Sequence, residues 1–119
     1  MKESITAKKS IAFAIRVINV YKFLCSDKKE FVLSKQLLRS GTAIGALIKE
    51  AEHAESKPDF LHKMNIALKE ANETEYRLLL LFEGKFLNEK EYAAISNDCV
   101  EPIKLLASIV KITKASLKR

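Results

Sequence analysis

Two short runs in this chain carry residue types that bind metal. Glu50-Ala51-Glu52-His53 sets a glutamate three residues before a histidine, and Asp59-Phe60-Leu61-His62 sets an aspartate in the same relation. On a helix that spacing puts both ligands on one face. Di-iron bundles use two such Glu-x-x-His pairs and a glutamate from each of two further helices, all projecting inward. The rest of that set is missing here, because the N-terminal segment offers only Glu3 and acids near its end. His53 precedes the apolar Ala54, and His62 lies between Leu61 and Lys63, so both read as solvated or interface residues. No metal or other cofactor is expected.

Covalent catalysis has no better support. Cys25 and Cys99 stand 74 positions apart, fit no metal-ligand spacing and have no histidine close by in sequence. In a reducing compartment they read as buried small hydrophobes. No G-x-S-x-G run is present, and no arginine precedes either histidine by four to six residues, the spacing of small helical ribonucleases. Lys69, Glu70, Glu73, Glu75 and Arg77 form a mixed-charge group, with Lys69 and Glu73 one helical turn apart, as on a self-paired helix face. The chain is therefore expected not to be an enzyme.

Charge is the more informative signal. The 119 residues carry 21 Lys+Arg and 15 Asp+Glu, a formal +6. Residues 1–30 hold +4 and residues 102–119 hold +5 with no acid, which leaves −3 between them. Where the first and last helices are neighbours, Lys8, Lys9, Arg16, Lys22, Lys111, Lys114, Lys118 and Arg119 gather on one side. A basic face of that kind is the footprint of phosphate-backbone binding, and its bland alternative is solubility. Aromatic residues for base stacking are scarce there, so binding would be led by backbone and shape.

The elements that position these residues are helices. Apolar residues recur at alternating spacings of three and four along the whole chain. The first segment runs from about Ser4 to Leu24 on Ala14, Val17, Tyr21 and Leu24, with Ile11, Ile15 and Ile18 widening the stripe. A second, from about Glu30 to Glu55, uses Leu33, Leu37, Ser40, Ile44, Leu47, Ala51 and Ala54. The third opens on Ser56-Lys57-Pro58-Asp59, a capping pattern with proline in the first turn, follows Phe60, Met64, Ala67, Ala71, Thr74, Leu78 and Leu81, and stops at Gly84. A fourth opens at Asn88 with Glu91 three residues on, follows Tyr92, Ile95, Cys99, Leu106, Val110, Thr113 and Leu117, and contains Pro102, which predicts a kink near Asn97 to Glu101. Short connections make consecutive helices antiparallel. The fold expected is all-α: one domain over residues 1–119, an up-down antiparallel four-helix bundle with a kinked fourth helix.

Two features exceed what a lone bundle needs. Leu78 to Phe82 are five consecutive apolar residues that encircle the third helix, and the fourth carries Ile103, Leu105, Leu106, Ile109, Val110 and Ile112. Surplus apolar surface of this kind usually marks an interface, here most simply with other copies of the chain, and Leu79 and Phe82 are its candidates on the third helix; the bland alternative is a wide core with a few stray exposed leucines. Gly41 and Gly45, flanked by Ser40, Ala43 and Ala46, give the second helix a face with almost no bulk, which predicts close approach of another helix; the rival reading, a phosphate-cradling loop, lacks the G-x-x-x-x-G-K pattern. No apolar run approaches the roughly 20 residues of a membrane span. The N-terminal ten residues lack the apolar core of a signal peptide, so a cytoplasmic protein without membrane contact is expected.

The stretch from Ser34 to Leu81 resembles the bacterial four-helix-bundle family encoded in 23S rRNA intervening sequences. QLLRSGTAIG, Glu50, DFLHK and ALKEANET carry the resemblance, in order, on adjoining helices. That family is similar in turn to the accessory variability proteins of diversity-generating retroelements. The typical string has serine at Ala43 and asparagine at Leu47, so those two polar groups are missing here. Arg39, Ser40, Gly41, Thr42, Glu50, Lys69, Glu70, Glu73 and Thr74 match the pattern. The resemblance implies a homopentamer with no enzymatic activity and no established function for most members. Its retroelement branch implies a basic adaptor that binds nucleic acid and a reverse transcriptase. The functional expectation is thus a non-enzymatic homo-oligomer that binds RNA or DNA backbone; the alternative is a protein scaffold with no nucleic-acid role.

Overall fold

The computed structural model describes residues 4–118. Four helices follow in order: α1 (Ile5–Ser26), α2 (Leu33–Glu52), α3 (Lys57–Glu83) and α4 (Glu89–Leu117). They pack as an antiparallel up-down circuit of α1 on α2, α2 on α3 and α3 on α4, closed by a sparser α4–α1 contact, in a body of 50 × 26 × 22 Å.

Three helix starts are set by side chains that satisfy the free N–H groups of a first turn. Ser4 accepts from the Ala7 amide (3.0 Å) and Ser56 from the Asp59 amide (3.2 Å). Asn88 and Glu91 form a reciprocal capping box. α2 starts later than its apolar pattern implies, at Leu33, because Glu30 is a cap and not a helical residue. Its carboxylate takes the amides of Val32, Leu33 and Ser34. α2 also ends earlier, at Glu52, which leaves Ala54 in the turn. Gly84 caps α3 with an ordinary φ of −78°, and the left-handed residue is Lys85, one position on, at φ 69°.

The core is a column of Val17, Leu24, Leu37, Ile44, Leu78, Leu81 and Leu106, each at 0% exposure. α4 runs unbroken through Pro102, which is buried on its inner face; the Asp98 carbonyl is the group that loses its helical donor there. Every expected α3 seam position is buried or half-buried, whereas Leu117 of the α4 seam is exposed.

α1 departs most from its pattern. Ile11 and Ile15 are 45% and 53% exposed, and Phe13 is buried in their place. The cause lies in α2: a Cβ on Gly41 would sit 2.8 Å from Val17 Cγ1, and one on Gly45 would sit 3.2 Å from Ser10 Oγ. The bulk-free face of α2 thus seats α1 along Ser10 and Val17. A contact line centred there turns Ile11 and Ile15 outward, at 100° per residue.

Candidate nucleic-acid interface

The motif residues of α2 and α3 are brought together, and they build the joint between these helices. Arg39 reaches Glu70 (3.2 Å) and Glu73 (3.6 Å), and Arg77 extends the ladder to Gln36 (2.8 Å) and toward Glu73 (3.8 Å). Arg77 Nε is buried there with no partner. Beneath the ladder the Thr74 hydroxyl donates to Ser40 Oγ (2.9 Å), with the Glu70 carbonyl oxygen 2.8 Å away, and both side chains are fully buried. Thr42 returns its hydroxyl to the Leu38 carbonyl (2.7 Å), and Glu50 meets Lys63 (3.2 Å). Lys69 is exposed and Leu79 is 40% exposed, while Phe82 stacks on Tyr92 with ring centroids 4.5 Å apart. The cross-helix contacts of Arg39, Arg77, Ser40, Thr74 and Glu50 fix how α2 and α3 meet, while the Phe82–Tyr92 stack ties α3 to α4.

The metal-type residues are not brought into the interior. Glu50, Glu52, His53 and His62 are exposed around the α2–α3 turn. Glu50 and His53 line a shallow depression with Lys49, Asp59 and Lys63, which Glu52 and His62 do not enter, and Asp59 accepts from the Glu55 amide (3.2 Å). Among the described residues no three metal-ligating side chains converge. Both thiols are free. Cys99 is buried against the Ala71 carbonyl, and Cys25 is half-buried, 3.7 Å from Ser34 Oγ. Burial, helped by the negative charges of Glu75 and Asp98, pushes the Cys99 thiol up to about 12, which makes it an inert packing residue.

The basic residues divide into two sets. Lys9 pairs with Glu101, and Arg16 with Asp98 (3.0 Å), so these two cations hold α1 to α4. Their pairs cross an open joint. On one side of Arg16 lies a cleft of about 320 Å³ floored by Val20, Phe23, Leu87 and Ile95, and on the other a second of about 310 Å³ above Phe13 and Pro102. Sequence reasoning missed both pairs, since nothing in the spacing tells which acid of α4 faces which cation of α1.

Lys8, Lys22, Lys111, Lys114 and Lys118 are exposed, and among the described residues none has a carboxylate within 4 Å. Arg119 lies outside the described residues. Lys22 follows Lys8 by fourteen residues, or about 21 Å of helix rise, and so stands toward the opposite end of the bundle. α4's last turns lie beside the start of α3, where Lys57 donates to Ser116 Oγ (2.6 Å). Lys111, Lys114 and Lys118, with the exposed Lys104 behind them, therefore line the last four turns of a helix that carries no acid after Glu101.

Comparison with known proteins agrees with this architecture. A crystal structure of a Bacteroides thetaiotaomicron VPI-5482 protein, described as of unknown function and from the S23 ribosomal protein family, superposes with a TM-score of 0.88 at 56% identity, covering 90% of this chain and 99% of that one. A search of curated proteins finds no match. The family described as 23S rRNA-intervening sequence protein matches residues 2–108, so the chain belongs to that family.

Proposed function

We propose that the protein is a non-enzymatic, homo-oligomeric adaptor that binds the phosphate backbone of RNA or DNA through the C-terminal half of α4. The observation that carries this reading is the acid-free run with Lys104, Lys111, Lys114 and Lys118 exposed and without ion-pair partners among the described residues. Lysines on a rigid helix meet phosphates as mobile point charges, which gives affinity and little sequence preference. Lys8, on the neighbouring helix, adds to the same end; Lys9 and Arg16 are already committed to α4 and contribute less.

A homopentamer, the assembly that the family resemblance implies, would repeat the lysine run five times and convert weak single contacts into useful avidity. A reverse transcriptase is the protein partner that the retroelement branch of the resemblance points to. The second reading, a scaffold for proteins alone, draws on Tyr76, Leu79 and Leu80, which are 60%, 40% and 37% exposed on α3.

The test is charge reversal at Lys111, Lys114 and Lys118 together, each to Glu. Affinity for a labelled structured RNA should fall by well over tenfold, with helicity and mass in solution unchanged. Unchanged affinity would place any nucleic-acid site elsewhere, and capture of a protein in place of nucleic acid would favour the scaffold.

A further inference from the structure

The joint between α1 and α4 is built in rungs. Lys9 and Arg16, seven residues apart on α1, pair with Glu101 and Asp98 of α4. Seven residues make close to two helical turns, so the next residue of the α1 row is Phe23. The acid seven residues before Asp98 on the same face of α4 is Glu91, and it lines one cleft with Phe23. The third rung therefore sets an aromatic ring where the first two set a cation.

Glu91 is half-buried, yet among the described residues no cation lies within 4 Å of its carboxylate. Its Oε1 accepts from the Asn88 amide (2.8 Å) in the capping box of α4, which holds the side chain in place and leaves Oε2 without a partner among the described residues. Lys28 and Lys85 share a neighbouring hollow with Glu91, and neither pairs with it.

The cleft at this incomplete rung is the one of about 320 Å³. That size lies at the lower end of small-molecule sites, about 300–1,000 Å³, which in bundles form between helices. Leu87 and Ile95 in its floor are buried core residues, so the floor is set by the packing of the bundle. Its charged lining is Arg16, Asp98 and Glu91. The first two satisfy one another, which leaves the single negative charge of Glu91 in a chain of formal +6. The Phe23 ring is open to an ammonium, as Lys28 Nζ stands over it at 5.8 Å from the centroid.

We propose that this cleft binds a small organic cation, an ammonium on a short apolar body. The ammonium completes the third rung, between the Glu91 carboxylate and the Phe23 ring, and the apolar body lies on Val20, Leu87 and Ile95. A carboxylate ligand finds no uncommitted cation in the cleft, and a neutral one leaves Glu91 unpaired. This site is separate from the lysine run of α4 and does not depend on nucleic-acid binding.

The test is an NMR titration with hexylammonium, following the methyl groups of Val20, Leu87 and Ile95, with hexanol and hexanoate as probes of the same body and different head groups. Hexylammonium should shift these three residues and bind more tightly than either control. Glu91→Gln keeps the capping box, in which glutamine serves as well as glutamate. It should weaken hexylammonium about fivefold and leave hexanol unchanged. Phe23→Leu keeps an apolar floor and should narrow the preference for hexylammonium over hexanol. Absence of shifts at the three residues, equal binding of the three probes, or a hexylammonium affinity unmoved by Glu91→Gln would overturn the proposal.

Discussion

The α2–α3 joint and the α4–α1 joint are each crossed by an arginine that meets an acid of the facing helix, yet one is closed and the other open. Between α2 and α3 the ion ladder of Arg39 lies over a buried hydroxyl pair and an unbroken apolar column. Between α4 and α1, Arg16 and Lys9 bridge open clefts whose apolar floor, including Phe13, Leu87 and Ile95, lies below the pairs and is not closed over by facing side chains. The difference shows what an ion pair does in each setting. Over a packed interior it fixes how two helices align; across an open joint it is a surface tie, and exposed pairs contribute only about 0–1 kcal/mol. α1 is therefore held chiefly through α2, by its seat on Gly41 and Gly45 and by its buried Phe13, Val17 and Leu24, and least by α4.

The sharpest way to break this comparison is to open a cavity on the closed side. Leu78→Ala removes a side chain at 0% exposure and should cost about 2–5 kcal/mol in a denaturation experiment. Val20→Ala, at the edge of the open cleft, should cost clearly less.

Alkali probes the same interior. Cys99 is held up to about 12, above the unfolded thiol's range near 8.5, so the folded chain keeps a proton that the unfolded chain releases. Its stabilisation is complete below that range and is lost as pH climbs from about 8.5 toward 12, by up to roughly 1.4 kcal/mol per unit. Cys99→Ala should flatten this decline in denaturation curves taken across the range.

The seat of α1 comes next. Gly41→Ala drives a methyl against Val17, an overpacking cost of about 1–3 kcal/mol that a gain of about 1 kcal/mol in helix propensity only partly offsets. Gly45→Ala meets Ser10 Oγ at 3.2 Å, a tight contact that a shift of a few tenths of an ångström relieves, and should cost less than Gly41→Ala. Equal costs at the two glycines would contradict the seating of α1. The smallest effect belongs to the open joint: Arg16→Ala should change stability by less than about 1 kcal/mol, and less still in high salt.

Much of this architecture is legible in the residue order. α3 could be read almost position by position because its seam is long, strictly periodic and bounded by Ser56 and Gly84. The capping box at Asn88 is local and needs no knowledge of the fold. The close approach at Gly41 follows from bulk alone, since few other roles explain two glycines in the interior of one helix. The rest depended on tertiary geometry. In α1, Phe13 and Ile11 are both apolar, and only the position of α2's small face decides which turns inward. Glu30 has the composition of a helical residue and acts as a cap because the chain turns there. Of the candidate interface, the α4 lysines could be found from charge alone, while the engagement of Lys9 and Arg16 with Glu101 and Asp98 could not.

The central claim is most directly tested by binding of the wild-type protein to a labelled structured RNA and to duplex DNA across a salt series. Neutralisation of several phosphates predicts that log affinity falls linearly with log salt, by about 0.9 per phosphate on duplex DNA. A steep line that persists to physiological salt is the result this account predicts. No binding to either nucleic acid even at low salt would contradict it and reduce the exposed lysines of α4 to a solubilising surface.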